Sequence, residues 1–190
     1  MDPSTWSTWT LATEVFTSAR GNKTLSVSGK DGQKILFQVG SPEAPCKAPW
    51  GAQTFQGNES SRKTLEVDIG PELIRLVQTW EAHLKAQLVE RSLHVFGKQL
   101  TPEKIEDIFH TSLCQKGDYP TRLRLKTSPQ TRFWDGVNKT PILPDTDLSG
   151  ASIVAQVTPS SLWMMTKEVG CTLLCMDILC YPAQQVSCPW

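Results

Sequence analysis

Apolar and polar residues trade places along this chain with two periods. Over residues 63–69, Leu65, Val67 and Ile69 fall on one side and Thr64, Glu66 and Asp68 on the other. That period of two predicts a half-buried strand. Residues 121–127 repeat it, with Leu123 and Leu125 set against Arg122, Arg124 and Lys126. Residues 24–28 and 33–39 are shorter strand runs, and Gly29-Lys30-Asp31-Gly32 between them predicts a hairpin turn. Residues 40–62, with Pro42, Pro45, Pro49 and Gly51, read as a loop. The period then changes. Leu73, Val77, Trp80, Leu84 and Leu88 form one helical stripe, with Arg75, Glu81, Lys85 and Glu90 off it. Pro71 suits the first turn of that helix, and Gly97 ends it or its extension. Thr101 as N-cap and Pro102 open a second helix, whose buried face is Ile105, Ile108, Phe109 and Leu113. Strand signals return at 121–127, in a hairpin over 128–136, and at 152–158, 162–165 and 171–180. Residues 182–190 read as a flexible tail.

Three strands, a two-helix insertion at about 71–115 and several further strands predict a mainly β protein. The economical architecture is an OB-fold-like five-stranded barrel, with the helices between strands 3 and 4, as one domain over residues 1–181. An open α+β sheet with both helices on one face is the rival. A chain of 190 residues, 39% hydrophobic and 20% charged, is neither a disordered tail nor a membrane protein. Lys+Arg and Asp+Glu are 19 each, which excludes a polycation and leaves only a local basic patch. No leader pattern opens the sequence, and Thr172 and Asp177 interrupt the apolar stretch at 171–181. An intracellular protein without a membrane partner is expected, so the triplets at Asn22, Asn58 and Asn138 are read as accidental glycosylation matches.

Catalytic patterns are missing: no HExxH, GxSxG, phosphate loop or dinucleotide fingerprint occurs, and His83, His94 and His110 all fall in predicted helices. Asp145 and Asp147 read as a turn feature. Of the 6 cysteines, Cys171, Cys175, Cys180 and Cys188 lie near the C-terminus without zinc-ligand spacing. Strict strand alternation puts Cys171 and Cys175 on one face and Cys180 on the other, so free thiols are expected, with no cofactor and no enzyme activity.

The charge map is more informative. Residues 115–144 carry Lys116, Arg122, Arg124, Lys126, Arg132 and Lys139 against only Asp118 and Asp135. Arg122, Arg124 and Lys126 stand on one strand face roughly 7 Å apart, and Arg132, Phe133 and Trp134 follow. Cations for phosphates beside rings for bases are what sequence-tolerant single-strand binding needs. A merely solvated sheet face has the same alternation, and Phe133 and Trp134 suit a core as well as a stacking role. Trp163, Met164 and Met165 read as core. A third option, a protein–protein interaction module, draws on the 7 Trp as interface anchors.

Tyr119-Pro120 followed by Arg122-Leu123-Arg124-Leu125-Lys126 resembles the YP-x-x-L-K-x-K strand of a family of OB-fold single-stranded-DNA-binding proteins. That family occurs in short-tailed phages and, in diverged form, in large eukaryotic DNA viruses and related mobile elements. Residues 147–155 resemble its L-x-x-G-S-x-V strand entry, residues 162–173 its I-W-x-x-x-K-x-F-G hairpin, and Phe96-Gly97-Lys98 the eukaryotic-virus members. The resemblance implies an OB barrel that binds single-stranded DNA without sequence preference in replication, recombination or repair. It carries over to Arg122, Arg124, Lys126 and Trp134; Arg132, Phe133 and Lys139 join them from the charge map. Single-stranded DNA is the expected partner, with RNA, self-association and replication proteins left open, at a nuclear, cytoplasmic or viral replication site. Two departures stand out. The family's phage members end in an acidic tail, whereas residues 181–190 hold no acid, and Val169 stands where an aromatic is usual.

Overall fold

The computed structural model describes residues 10–12, 14–18, 21–29, 32–54, 62–144, 146–165 and 167–182. Lys30, Asp31, Asn58, Asp145, Cys188 and residues 183–190, on which some of the readings above rest, lie outside them. The chain first forms β1 (Thr10–Leu11), β2 (Phe16–Thr17), β3 (Lys23–Ser28), β4 (Phe37–Val39), β5 (Cys46–Ala48), β6 (Ala52–Gln53) and β7 (Thr64–Asp68). Helices α1 (Pro71–Glu90), α2 (Ser92–Phe96) and α3 (Pro102–Ile108) follow. Then come β8 (Phe109–His110), β9 (Leu113–Cys114), β10 (Arg122–Lys126), β11 (Arg132–Asp135), β12 (Ala151–Met164) and β13 (Val169–Tyr181).

The protein is mainly β, with its helices inserted between β7 and β8. Hydrogen bonding gives the strand order β1-β3-β12-β13-β10-β7-β6. This path is open, and it runs through many short strands rather than the five expected. Two of those strands are long: the segments at 152–158 and 162–165 merge into β12, which pairs antiparallel with β13 from Ser152 opposite Tyr181 to Met164 opposite Val169. Pro159 is tolerated inside β12 because the register shifts between it and Ser161.

The hairpin expected over 162–173 is the turn of this pair, with Leu162 opposite Cys171, whereas the other two expected hairpins are corrected. β3, β4 and β5 do not pair with one another; each lies antiparallel on β12, with Ser26 opposite Ser161, Phe37 opposite Val157 and Lys47 opposite Ser152. The Gly29 N–H donates to Gln33 O at 2.8 Å and the Gly32 N–H to Gly29 O at 3.2 Å, but the strands on either side, β3 and β4, are successive pieces laid along β12 and do not form a hairpin. On the other edge, β10 and β11 both run parallel to β13, so residues 128–136 form no hairpin either. The Thr131 hydroxyl pins the bend between them by donating to Cys175 O. A strand longer than its neighbours offers edge to several short segments, and the chain uses it in sequence.

Helix α1 buries Val77, Trp80, Leu84 and Leu88, as its stripe requires. It also buries Glu81 and Gln87, which the stripe does not predict. Glu81 accepts the Ser112 N–H at 2.6 Å and the Thr111 hydroxyl at 2.7 Å. Gln87 accepts the Leu11 N–H at 2.9 Å. These side chains bond the backbone of two segments that enter the sheet beneath the helix, and a buried N–H needs such an acceptor. Gly97 ends α2 in the left-handed region, and the Thr101 hydroxyl caps α3 by accepting the Lys104 N–H. The second helix stops at Ile108 because Phe109 is already extended, which puts Phe109 and Leu113 in β8 and β9 rather than on a helix face. Among the described residues no helix is long and apolar enough to cross a membrane.

Replacing Glu81 by Ala strands the buried Ser112 N–H and costs about 1–3 kcal/mol. Urea denaturation shows this as a lower midpoint, and Glu81→Gln, which keeps one acceptor oxygen, recovers part of the loss.

Candidate nucleic-acid interface

The alternation of β7 and β10 sets two faces. Leu65, Val67, Leu123 and Leu125 are fully buried on one. The other carries cross-strand pairs in register: Arg122 opposite Asp68, Arg124 opposite Glu66 and Lys126 opposite Thr64. The three cations thus stand in a row, but two of them are partnered. Arg122 Nε donates to Asp68 Oδ1 at 3.1 Å, and its second nitrogen lies 3.8 Å from Glu66. Arg124 Nε reaches Glu66 Oε1 at 3.4 Å, and its NH2 group points to Cys114 Sγ at 3.5 Å. Lys126 differs. Its Nζ donates to Thr64 Oγ1 at 2.6 Å, and among the described residues no carboxylate pairs with it. Burial, then the like charges of Arg124 and Arg62, push its pKa below the ordinary lysine value. A cation held among like charges is one that an incoming anion stabilises.

Arg124 and Lys126 border a cleft of about 430 Å³. Across it lie Trp163 near the end of β12, Met165 just past it, Thr172 from β13, and His110 and Ser112 from the β8–β9 segment. Trp163 and Met165, read as core from the sequence, are here half-buried and 60% exposed. The indole lies against Gly170: a Cβ added there would come 2.5 Å from its Cζ2 atom. The glycine thus gives the ring a flat seat. The sequence carried no clear signal for this seat, because residues 162–165 are all apolar and only the register sets Trp163 opposite Gly170. His110 sits at the ring's margin, 6.0 Å between centroids and tilted 54°.

A second cleft, of about 360 Å³, lies on the β6–β7 side of the same ladder. Trp50, Tyr119, Lys116 and Arg122 line it.

The remaining sequence candidates gather elsewhere. Trp134 and Lys139 line a third cleft of about 260 Å³ over β12 and β13, sharing no residue with the first two. Asp177 organises it, accepting Arg132 at 2.7 Å and Trp134 Nε1 at 2.9 Å. Burial pushes the Asp177 carboxyl up, but its bonds to Arg132 and Trp134 outweigh that and hold its pKa low. Lys139, at φ 58°, donates to Gly136 O and lies 5.5 Å from the Tyr181 ring. Phe133 must be corrected. It is 5% exposed in the core, because β11 alternation turns Arg132 and Trp134 outward and the residue between them in. Its ring is not presented for stacking.

The cysteine geometry also departs from strict alternation. Val157 faces Cys175 while Gln156 faces Asp177, so Met176 has no opposite residue. This bulge reverses the parity of β13, and Cys180 turns inward like Cys175. Burial pushes the Cys175 thiol up to about 12. Burial, then Asp135, pushes Cys180 up to about 11. Cys171 rises too, through burial and then Glu81. Among the described residues no group of His, Cys, Asp and Glu is placed to hold a metal.

No protein-family model matches the sequence, and no curated protein does. Among solved structures, the chain is similar to gp2.5, a single-stranded DNA binding protein encoded by bacteriophage T7. The TM-score is 0.54 at 11% identity, over 82% of this chain and 90% of that one. It also matches the single-stranded DNA-binding protein of bacteriophage Enc34 in complex with ssDNA, with a TM-score of 0.48 at 6% identity over 92% and 93% of the two chains. A C-terminal truncation of that protein gives 0.46 at 8% identity over 93% and 99%. The T7 likeness shows a shared fold, and the resemblance read from the motifs holds at that level.

Because only the thiolate alkylates, iodoacetamide at about pH 8 should leave Cys175 and Cys180 unmodified in the folded protein and label both in urea. Peptide mass spectrometry reads the difference, and fast labelling of either cysteine in the native state contradicts the placement of β13.

Proposed function

We propose that this protein binds single-stranded DNA without sequence preference, by phosphate contacts and base stacking, in replication, recombination or repair. The observation that carries the reading is the row on β10. Lys126, paired with no carboxylate among the described residues, and Arg124, which reaches Glu66 at 3.4 Å, open onto the cleft where Trp163 offers a seated ring. Phosphates contact the two cations and a base stacks on Trp163. The fold shared with T7 gp2.5, described as a single-stranded DNA binding protein, supports the same reading. So does the route from β5, on β12, to β6, on β7: joined through residues 49–51, these strands bridge the two ends of a β12-β13-β10-β7 sheet. We read that bridge as closure of an OB-like barrel, with the cationic row on its outside. RNA offers the same phosphates and bases and stays open as a partner.

A protein-docking reading attaches to the third cleft. Arg132 is already neutralised there by Asp177, and Val137 and Leu143 in the following loop are each 73% exposed.

Fluorescence anisotropy with labelled oligo-dT at several salt concentrations tests the DNA reading. Lys126→Glu should weaken binding to all sequences and reduce the log–log salt slope by about 0.7. Arg124→Glu should act in the same direction. Binding unchanged in both variants sinks the assignment of this face.

The lowered pKa of Lys126 adds a pH test. The protonated amine is the binding form, so affinity should fall as pH rises, beginning below the ordinary lysine range. Lys126→Arg, which stays charged, should remove that fall.

A further inference from the structure

Arg122 stands first in the cationic row, yet its surroundings are not those of a phosphate ligand. Its side chain is only 10% exposed and already faces Asp68 and Glu66. Its guanidinium carbon lies 5.3 Å from the centroid of Trp50 and 5.8 Å from that of Tyr119. These rings are 52% and 64% exposed. An Arg fixed by two carboxylates is a rigid planar spacer, and cation–π attraction holds both rings to it. Trp50 sits in the turn from β5 to β6, where Gly51 has φ 64° and an added Cβ would meet Ser149 N at 2.8 Å. Tyr119 sits in the turn before β10, its N–H donating to Lys116 O. Neither ring closes the core. Both border the cleft of about 360 Å³, which also takes in Lys116.

We propose that Trp50 and Tyr119 form a second base-stacking station, that Lys116 supplies its phosphate contact, and that Arg122 is a positioning residue that holds the two rings. The inference rests on the single-strand reading above and deepens it. The strand crosses the ladder from the Trp163 cleft, past Lys126 and Arg124, to the rings beyond Arg122. Rings fixed before binding lose little freedom when a base stacks on them. The two clefts open at opposite ends of the β10 row, which is itself roughly 13 Å long, so a dinucleotide occupies one station and a longer strand occupies both.

Oligonucleotide length therefore separates the stations. Binding of oligo-dT of about 2 and about 12 nucleotides, bracketing the lower site sizes of OB folds, is compared in wild type and in Trp50→Ala/Tyr119→Ala. The double variant should lose roughly tenfold or more in affinity for the longer strand and little for the shorter. Arg122→Gln should also weaken the longer strand while leaving its salt slope unchanged, whereas loss of a phosphate contact would flatten that slope. Lys116→Gln, made on an exposed side chain, should flatten it. Equal losses at both lengths, no loss in the double variant, an Arg122→Gln slope that flattens or a Lys116→Gln slope that does not would overturn the second station alone. Failure of the wild type to bind either oligonucleotide at low salt would instead remove the single-strand reading itself.

Discussion

The antiparallel pairing of β12 with β13 is the constraint on which the other elements depend. Both strands run well past the usual five or six residues. Their backbone groups point outward along both edges and must be satisfied. No single partner is long enough, so β3, β4 and β5 divide one edge while β8, β10 and β11 divide the other. This explains why β3 and β4, and likewise β10 and β11, fail to form hairpins with each other although they are neighbours in sequence. The same pair carries the bulge at Met176, which changes the side-chain parity of β13 part-way along. Residues before the bulge and residues after it present opposite positions of the alternation to the core.

The electrostatics of the outer face follow from pairing rather than from charge count. β7 brings Asp68 and Glu66 opposite the two arginines of β10, and Thr64 opposite the lysine. The partly exposed Arg124–Glu66 pair contributes little stability, up to about 1 kcal/mol. The larger effect of the cross-strand pairs is geometric. Arg122 is immobilised, Arg124 is directed toward the cleft, and Lys126 is left with a hydroxyl. A chain of zero net charge can thus present a localised positive site without a surplus of basic residues. Shared fold and low identity to T7 gp2.5 are compatible for a related reason: the fold depends on alternation and register, which many sequences satisfy, while ligand chemistry depends on particular side chains.

The local readings that held are those with a strong period or a specific cap. The β7 and β10 alternations, the apolar stripe of α1, the Gly97 stop and the Thr101 cap were all legible. The row of Arg122, Arg124 and Lys126 on one face was legible too, because a period of two fixes it whatever the strand pairs with. The partners of that row were not. Glu66 and Asp68 lie more than fifty residues away in sequence, and no local pattern announces which acid will stand across from which base. Glu81 read as a solvent-facing helix residue because its acceptor role depends on Ser112, a segment that only docking brings beneath the helix.

The amino-acid sequence alone settled which residues lie inward or outward within each unbroken strand or helix, since that follows from backbone geometry over a few bonds. The tertiary structure decided which strands share an edge, where a bulge reverses the alternation, which cations acquire carboxylates and which rings gather beside them. These depend on register between segments far apart in the chain, and register is chosen by the packing of the whole sheet, not by any segment's own pattern.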